Sequence, residues 1–195
     1  MKSNNSIARR LLVMVLTVAV CVTMLGNSSR VSAASAYQIK INKQQNCVTI
    51  YKSGANGKYK PVKAMVCSTG YATPVGTFPL GEKMRWHTLM GPCYGQYCTR
   101  IHGGILFHSV WYYKQTPSSL SASAYNKLGV TASHGCVRLS VADAKWIYDN
   151  VPSGSPVTVY NSSNPGPLGK PSAIKLPYSS TWDPTDVWSS GNPWN

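Results

Sequence analysis

From residue 37 onward the chain alternates apolar and polar positions. Tyr37-Gln38-Ile39-Lys40-Ile41-Asn42 changes face at every step, as a half-buried strand does. Residues 43–46 read as a turn, and Cys47-Val48-Thr49-Ile50-Tyr51 as a second strand. The cluster Ser53-Gly54-Ala55-Asn56-Gly57 is a turn signal. A third strand follows from Tyr59 to Cys67, so strands two and three form a candidate hairpin centred on Gly57. Residues 68–76 read as a long turn, and residues 77–80 resume extended structure. Residues 86–99 look like a polar, glycine-containing loop. Residues 100–102 and 105–109 are extended on either side of Gly103-Gly104, and residues 115–126 are serine-rich with room for a short helix. One helix stands out, over residues 140–150. Ser140 is its N-cap and Asp143 sits at the capping-box position. Ala144, Ile147 and Tyr148 form its apolar stripe. Pro152-Ser153-Gly154 ends that helix, and Val157-Thr158-Val159-Tyr160 reads as the last strand. The expected class is therefore mainly β, with one firm helix near the C-terminal end. A purely parallel α/β fold lacks the helical crossovers it needs.

The two ends of the chain read differently from its middle. Residues 1–36 have the pattern of a signal peptide. Lys2, Arg9 and Arg10 precede an apolar run from Leu11 to Leu25, and Ala34-Ser35-Ala36 offers small residues for cleavage. That run is about fifteen residues, short of the roughly twenty a spanning helix needs, so no stable membrane span is expected after cleavage. Residues 161–195 form an extension rich in Pro, Ser and Gly. Trp182, Trp188 and Trp194 recur along it, to pack back on the domain or to offer an aromatic surface to a glycan or a partner. Between the ends, residues 37–160 are long enough for one domain with its own core. Over residues 37–195, 15 Lys and Arg stand against 5 Asp and Glu, a net charge of +10. An exported protein of that charge is held at a polyanion, here the anionic polymers of a cell wall. Nucleic acid is disfavoured, since no periodic face gathers Lys or Arg and no binding motif occurs.

The candidate chemistry lies in Ser133-His134-Gly135-Cys136-Val137-Arg138. Gly135 frees the backbone to turn or to approach a substrate closely. Arg138 supplies positive charge, and aligned N–H groups around Gly135 and Cys136 could bind an oxyanion. A thiol nucleophile needs a base, and His87, His102, His108 and His134 are the candidates. His108 follows an apolar, strand-like run, so a rigid element could aim it, with the Ser109 carbonyl to orient it. Cys136 could instead be structural. Five cysteines fall after residue 36, an odd number. Pairing of Cys47 with Cys67 across the hairpin, and of Cys93 with Cys98 within their loop, would leave Cys136 as the odd one out. The histidines and cysteines do not fall in zinc-ligand spacing.

The hexad resembles the signature of the L,D-transpeptidase catalytic domain of bacterial peptidoglycan metabolism. Val66-Cys67-Ser68-Thr69-Gly70 with Thr73-Pro74-Val75-Gly76-Thr77-Phe78 is similar to the family's early strand and turn. Phe107-His108-Ser109 is similar to its upstream histidine element. Residues 143–148 and 154–157 are similar to its closing helix and strand. The resemblance implies a β-sandwich-like catalytic fold and a cysteine acyltransferase that needs no cofactor or metal. Carried over residue by residue, Cys136 is the nucleophile, His108 the general base and Ser109 its orienting carbonyl. His134 and Gly135 shape the oxyanion site, and Arg138 stabilises the loop or meets a substrate carboxylate. The substrates would be peptidoglycan stem peptides, joined by 3→3 cross-links with loss of D-alanine, and the protein would be secreted or wall-associated. Carbapenems would acylate Cys136. Two departures stand out. His108 and Cys136 are 28 residues apart, so residues 111–130 read as a lid or a substrate-facing insertion, and the cysteine usage outside the site would be a local elaboration. Two alternatives stay open at this level, an L,D-carboxypeptidase using the same residues and a non-catalytic wall-binding protein.

Overall fold

A computed structural model describes residues 35–195; most of the expected signal segment lies outside the described residues. Among the described residues nine strands form two sheets. The first has the order β3 (Tyr59–Val66), β2 (Cys47–Ser53), β1 (Tyr37–Asn42), β9 (Pro156–Tyr160), β4 (Gly76–Pro79). The second runs β5 (Lys83–Leu89), β6 (Cys93–His102), β7 (Ile105–Ser109), β8 (Val137–Leu139). Two pairings are parallel, β1 with β9 and β7 with β8. The β1 alternation sends Ile39 and Ile41 inward, and Val157 and Val159 of β9 join them. Each such side chain contributes about 1.5–3 kcal/mol on burial. Phe107, Val137 and Leu139 extend the same core from the second sheet.

A four-residue helix, α1 (Ala122–Tyr125), precedes the firm helix α2 (Val141–Asn150), which lies against β6, β7 and β8. Ser140 caps α2 as the sequence leads one to expect, its hydroxyl accepting from the Asp143 N–H at 3.2 Å. The tail supplies the rest of the cap. The Val141 N–H donates to Asp183 Oδ2 at 2.9 Å and the Ala142 N–H to Thr185 Oγ1 at 3.0 Å. Three of the four orphan donors of a helix start are thereby satisfied. Asp183 is fully buried, and that burial raises its carboxyl to about 6 against three hydrogen bonds from Thr185 and Val141. Leu176, Asp183, Asp186 and Asn192 are the buried residues of the extension, whereas Trp188 and Trp194 stay about half exposed.

Several sequence expectations are corrected. Residues 86–99 are not a loop. They carry most of the β5–β6 hairpin, whose turn falls between Leu89 and Cys93. No disulfide is present among the described residues, where all five cysteines are free. Cys93 and Cys98 lie on one strand, five residues apart. At about 3.3 Å per residue their α carbons are too far apart for the 4.4–6.8 Å that a disulfide spans. Cys47 pairs with Val66 rather than Cys67, because the hairpin closes around Asn56 rather than Gly57, and the bulge between Ile50 and Tyr51 recovers only part of that offset. Residues 111–130 are not a free lid, since Tyr112, Leu120, Ala122, Ala124, Tyr125 and Leu128 are all in the core. Among the described residues no helix is long and apolar enough to cross a membrane.

Candidate active site

The parallel pairing of β7 with β8 brings the 28-residue interval together. Its register sets Phe107 beside Val137, His108 beside Arg138 and Ser109 beside Leu139. Cys136 immediately precedes β8, two residues before Arg138. Cys136, His108 and Arg138 line one cleft of about 670 Å³. His134, Gly135, His87 and Trp111 line it too. His102 does not, and its ring stacks on Phe78 at 4.5 Å. Among the described residues no three His, Cys, Asp or Glu side chains gather into a metal-binding group.

The turn after β3 holds the cysteine loop. The Ala132 and Ser133 N–H groups donate to the Thr69 carbonyl, and the Ala72 N–H donates to the His134 carbonyl at 2.8 Å. Ser68 and Arg138 exchange both backbone hydrogen bonds at 2.9 Å. Thr73 is buried, and its hydroxyl donates to the Gly135 carbonyl at 2.7 Å while accepting from the Gly70 N–H at 2.8 Å. The two segments approach so closely that a β-carbon on Gly70 would stand 2.4 Å from the Gly135 nitrogen and from the His134 carbonyl carbon. Within the loop, Ser133 Oγ donates to the Cys136 carbonyl at 2.5 Å and Arg138 Nη1 to the Ala132 carbonyl at 2.8 Å. Arg138 Nε is buried and has no partner among the described residues.

His108 is buried, and its Nδ1 lies 2.5 Å from the Ser109 carbonyl oxygen. A carbonyl can only accept, so Nδ1 carries the proton and Nε2 keeps its lone pair. Burial, reinforced by the charge on Arg138, depresses His108 from 6.5 to about 3 against the pull of the Ser109 contact. The ring is therefore neutral at physiological pH. Its place depends on Gly95 of β6, where a β-carbon would come within 3.0 Å of Nδ1.

The positive charge that Arg138 brings to the cleft does not make Cys136 a resting thiolate. Burial pushes it above the ordinary value of 9.0, and the Leu106 backbone contact, Arg138 and Arg100 pull it back only in part. The resting group is a thiol, and it donates to the Gly104 carbonyl at 3.6 Å. A protonated thiol and a neutral imidazole on one cleft can react by proton transfer as the sulfur attacks, and need no standing ion pair.

Three contributions to the site escape sequence reasoning. Gly95 and the Thr73 bridge act only through tertiary proximity, and Cys93 enters the cleft wall because β6 turns its first residue there. The turn itself belongs to the quoted Val66–Phe78 signature, but nothing in its composition says that it clamps the cysteine loop.

Known proteins resemble the chain over the same region. The model of the YkuD family, the L,D-transpeptidase catalytic domain, matches residues 36–159. YciB of Bacillus subtilis (strain 168), provisionally described as an L,D-transpeptidase, is 37% identical over 118 residues, covering 55% of this chain and 58% of its own length. The chain thus spans less than two thirds of that relative. The L,D-transpeptidase from Mycobacterium smegmatis is 23% identical, with a TM-score of 0.51 over 65% of this chain and 59% of that one. At that identity the likeness is one of fold.

Proposed function

Since the chain belongs to the L,D-transpeptidase catalytic-domain family, we propose that it forms 3→3 cross-links between peptidoglycan stem peptides through a thioester on Cys136. The observation that carries the reading is the β7–β8 register, which sets Cys136 and a neutral, Nδ1-anchored His108 on one cleft. Cys136 Sγ attacks the carbonyl that joins the third stem residue to the terminal D-alanine, and His108 Nε2 takes the thiol proton. Backbone N–H groups of the loop at Gly135 and Cys136, with His134 beside them, face the oxyanion. The intermediate collapses with cleavage of the amide, and His108 returns its proton to the departing amine of D-alanine. The side-chain amine of a neighbouring stem then attacks the thioester, giving up a proton to His108. The new amide forms as the sulfur leaves and regains its proton. Arg138 lines the cleft, where its guanidinium charge meets a stem carboxylate or carbonyl. The excess of basic residues over 37–195 would hold the protein, once exported, at anionic wall polymers.

Intact-protein mass spectrometry with a defined tetrapeptide stem, and separately with a carbapenem, tests the chemistry. Wild type should gain one acyl adduct per chain and Cys136→Ala none. A wild type without adduct, or an alanine variant that still forms one, would refute the proposal.

A further inference from the structure

A second groove, of about 430 Å³, lies away from the cysteine and has no role in the chemistry above. One wall comes from the segment after β7, with Tyr113, Ser118 and Ser123. The other comes from the C-terminal extension, with Tyr178 and Thr181, and Leu120 lies between them. The walls are tied together where the Leu120 N–H donates to the Thr181 carbonyl at 2.8 Å, and the first wall is braced internally where the Tyr113 N–H donates to the Ser119 carbonyl at 2.9 Å. The groove is thus preformed and needs little ordering to bind.

Its chemistry is unusual for so basic a chain. No Asp, Glu, Lys, Arg or His lines it. Two tyrosines stand exposed at its edges, Tyr113 at 60% and Tyr178 at 81%, and the rest of the lining is largely hydroxyls. Flat apolar rings beside neutral hydrogen-bonding groups match a neutral ligand with an apolar ring face and a rim of hydroxyls. They do not match a peptide that carries carboxylates and amines. The groove also leads to the reaction centre. Trp111 lines the catalytic cleft, and its ring packs edge-on against Tyr113 at 4.9 Å. One aromatic ridge therefore joins the two.

We infer that this groove binds the glycan strand from which the stem peptides branch, and so positions a polymer-linked donor over Cys136. The inference rests on the transpeptidase reading for its choice of sugar polymer. Of the extension's aromatic residues, Tyr178 is the one that lines this groove, whereas Trp188 faces the Lys145 ammonium at 5.0 Å.

The test compares two donors, a free tetrapeptide and the same tetrapeptide on its disaccharide, with wild type, Tyr113→Ala, Tyr178→Ala and the double variant. Each lost ring should raise KM for the disaccharide-linked donor about three- to tenfold, with kcat and the free-peptide parameters unchanged. Tyr178→Phe should retain most of the wild-type affinity, because the ring face does the binding. Equal KM changes for both donors, or none for either, would overturn the inference. Titrating ¹⁵N-labelled Cys136→Ala protein with the stem-free disaccharide gives an answer independent of catalysis. Shifts should centre on residues 113–123 and 178–181, and their absence at millimolar sugar would overturn the groove assignment. If wild type acylates with neither donor, it is the transpeptidase reading that fails, and the titration still decides the groove.

Discussion

Substituting Gly70 with alanine should disable the cysteine loop without touching a reacting group. Gly70 has no left-handed backbone angle to maintain, so alanine suits its local conformation. The obstacle is distance. A β-carbon there meets the backbone of His134 and Gly135 at 2.4 Å, where ordinary contacts begin at 3.4 Å. The shortfall of about 1 Å must be met by moving backbone, because no flexible side-chain end is available to yield. A displacement of about 1 Å at reacting atoms costs roughly 100-fold in rate, equivalent to about 2.7 kcal/mol on the barrier. Crowding of this kind also costs about 1–3 kcal/mol of stability, or a melting temperature lower by roughly 2–10 °C at this size. The assay is the second-order rate of carbapenem acylation by mass spectrometry, paired with a thermal melt. Gly54→Ala serves as control, since its β-carbon meets nothing closer than 3.4 Å. A Gly70→Ala protein that acylates and melts like wild type would show that the turn does not hold the loop, and the account of the site would have to be abandoned.

Two further outcomes follow from the buried ionisable groups. With His108 depressed to about 3 and the Cys136 thiol raised above 9.0, the acylation rate should stay flat from about pH 5 to 8. An inflection near 6.5 would mean that the imidazole titrates as an exposed group. Asp183 should make the fold more stable on acidification. Its folded carboxyl titrates near 6 and its unfolded one near 3.8, so the native state holds the extra proton between those values and the buried charge weakens the fold above them. His108 has the opposite slope, because a depressed histidine loses stability as pH falls below 6.5. The comparison is therefore made against Asp183→Asn, which keeps His108. The stability gap between wild type and variant, from urea melts, should widen by at most about 3 kcal/mol from pH 7 to pH 4. A gap that does not change with pH would place the Asp183 carboxyl in solvent.

Much of the architecture was legible because strand and cap signals are local. Alternation at 37–42 gave β1, the glycines at 103 and 104 gave the β6–β7 turn, and Ser140 announced the helix it caps. The β5–β6 hairpin was missed because its strands are polar and mixed, and their pairing comes from neighbours distant in sequence. The disulfides were misjudged for a related reason. Parity and hairpin symmetry do not fix the residue on which a turn closes, nor do they foresee two cysteines lying along one strand.

The sequence by itself determined the mainly β class, the capped helix and the residue types gathered around Cys136, because propensity, capping and motif are written in neighbouring residues. Only the tertiary structure decided that Cys136 and His108 share a cleft, that Gly70 and Thr73 clamp the loop between them, and that Asp183 completes a helix 42 residues upstream. It also decided that the thiol rests protonated beside a neutral imidazole. Burial and register set those properties, and both depend on which distant segments the chain packs together.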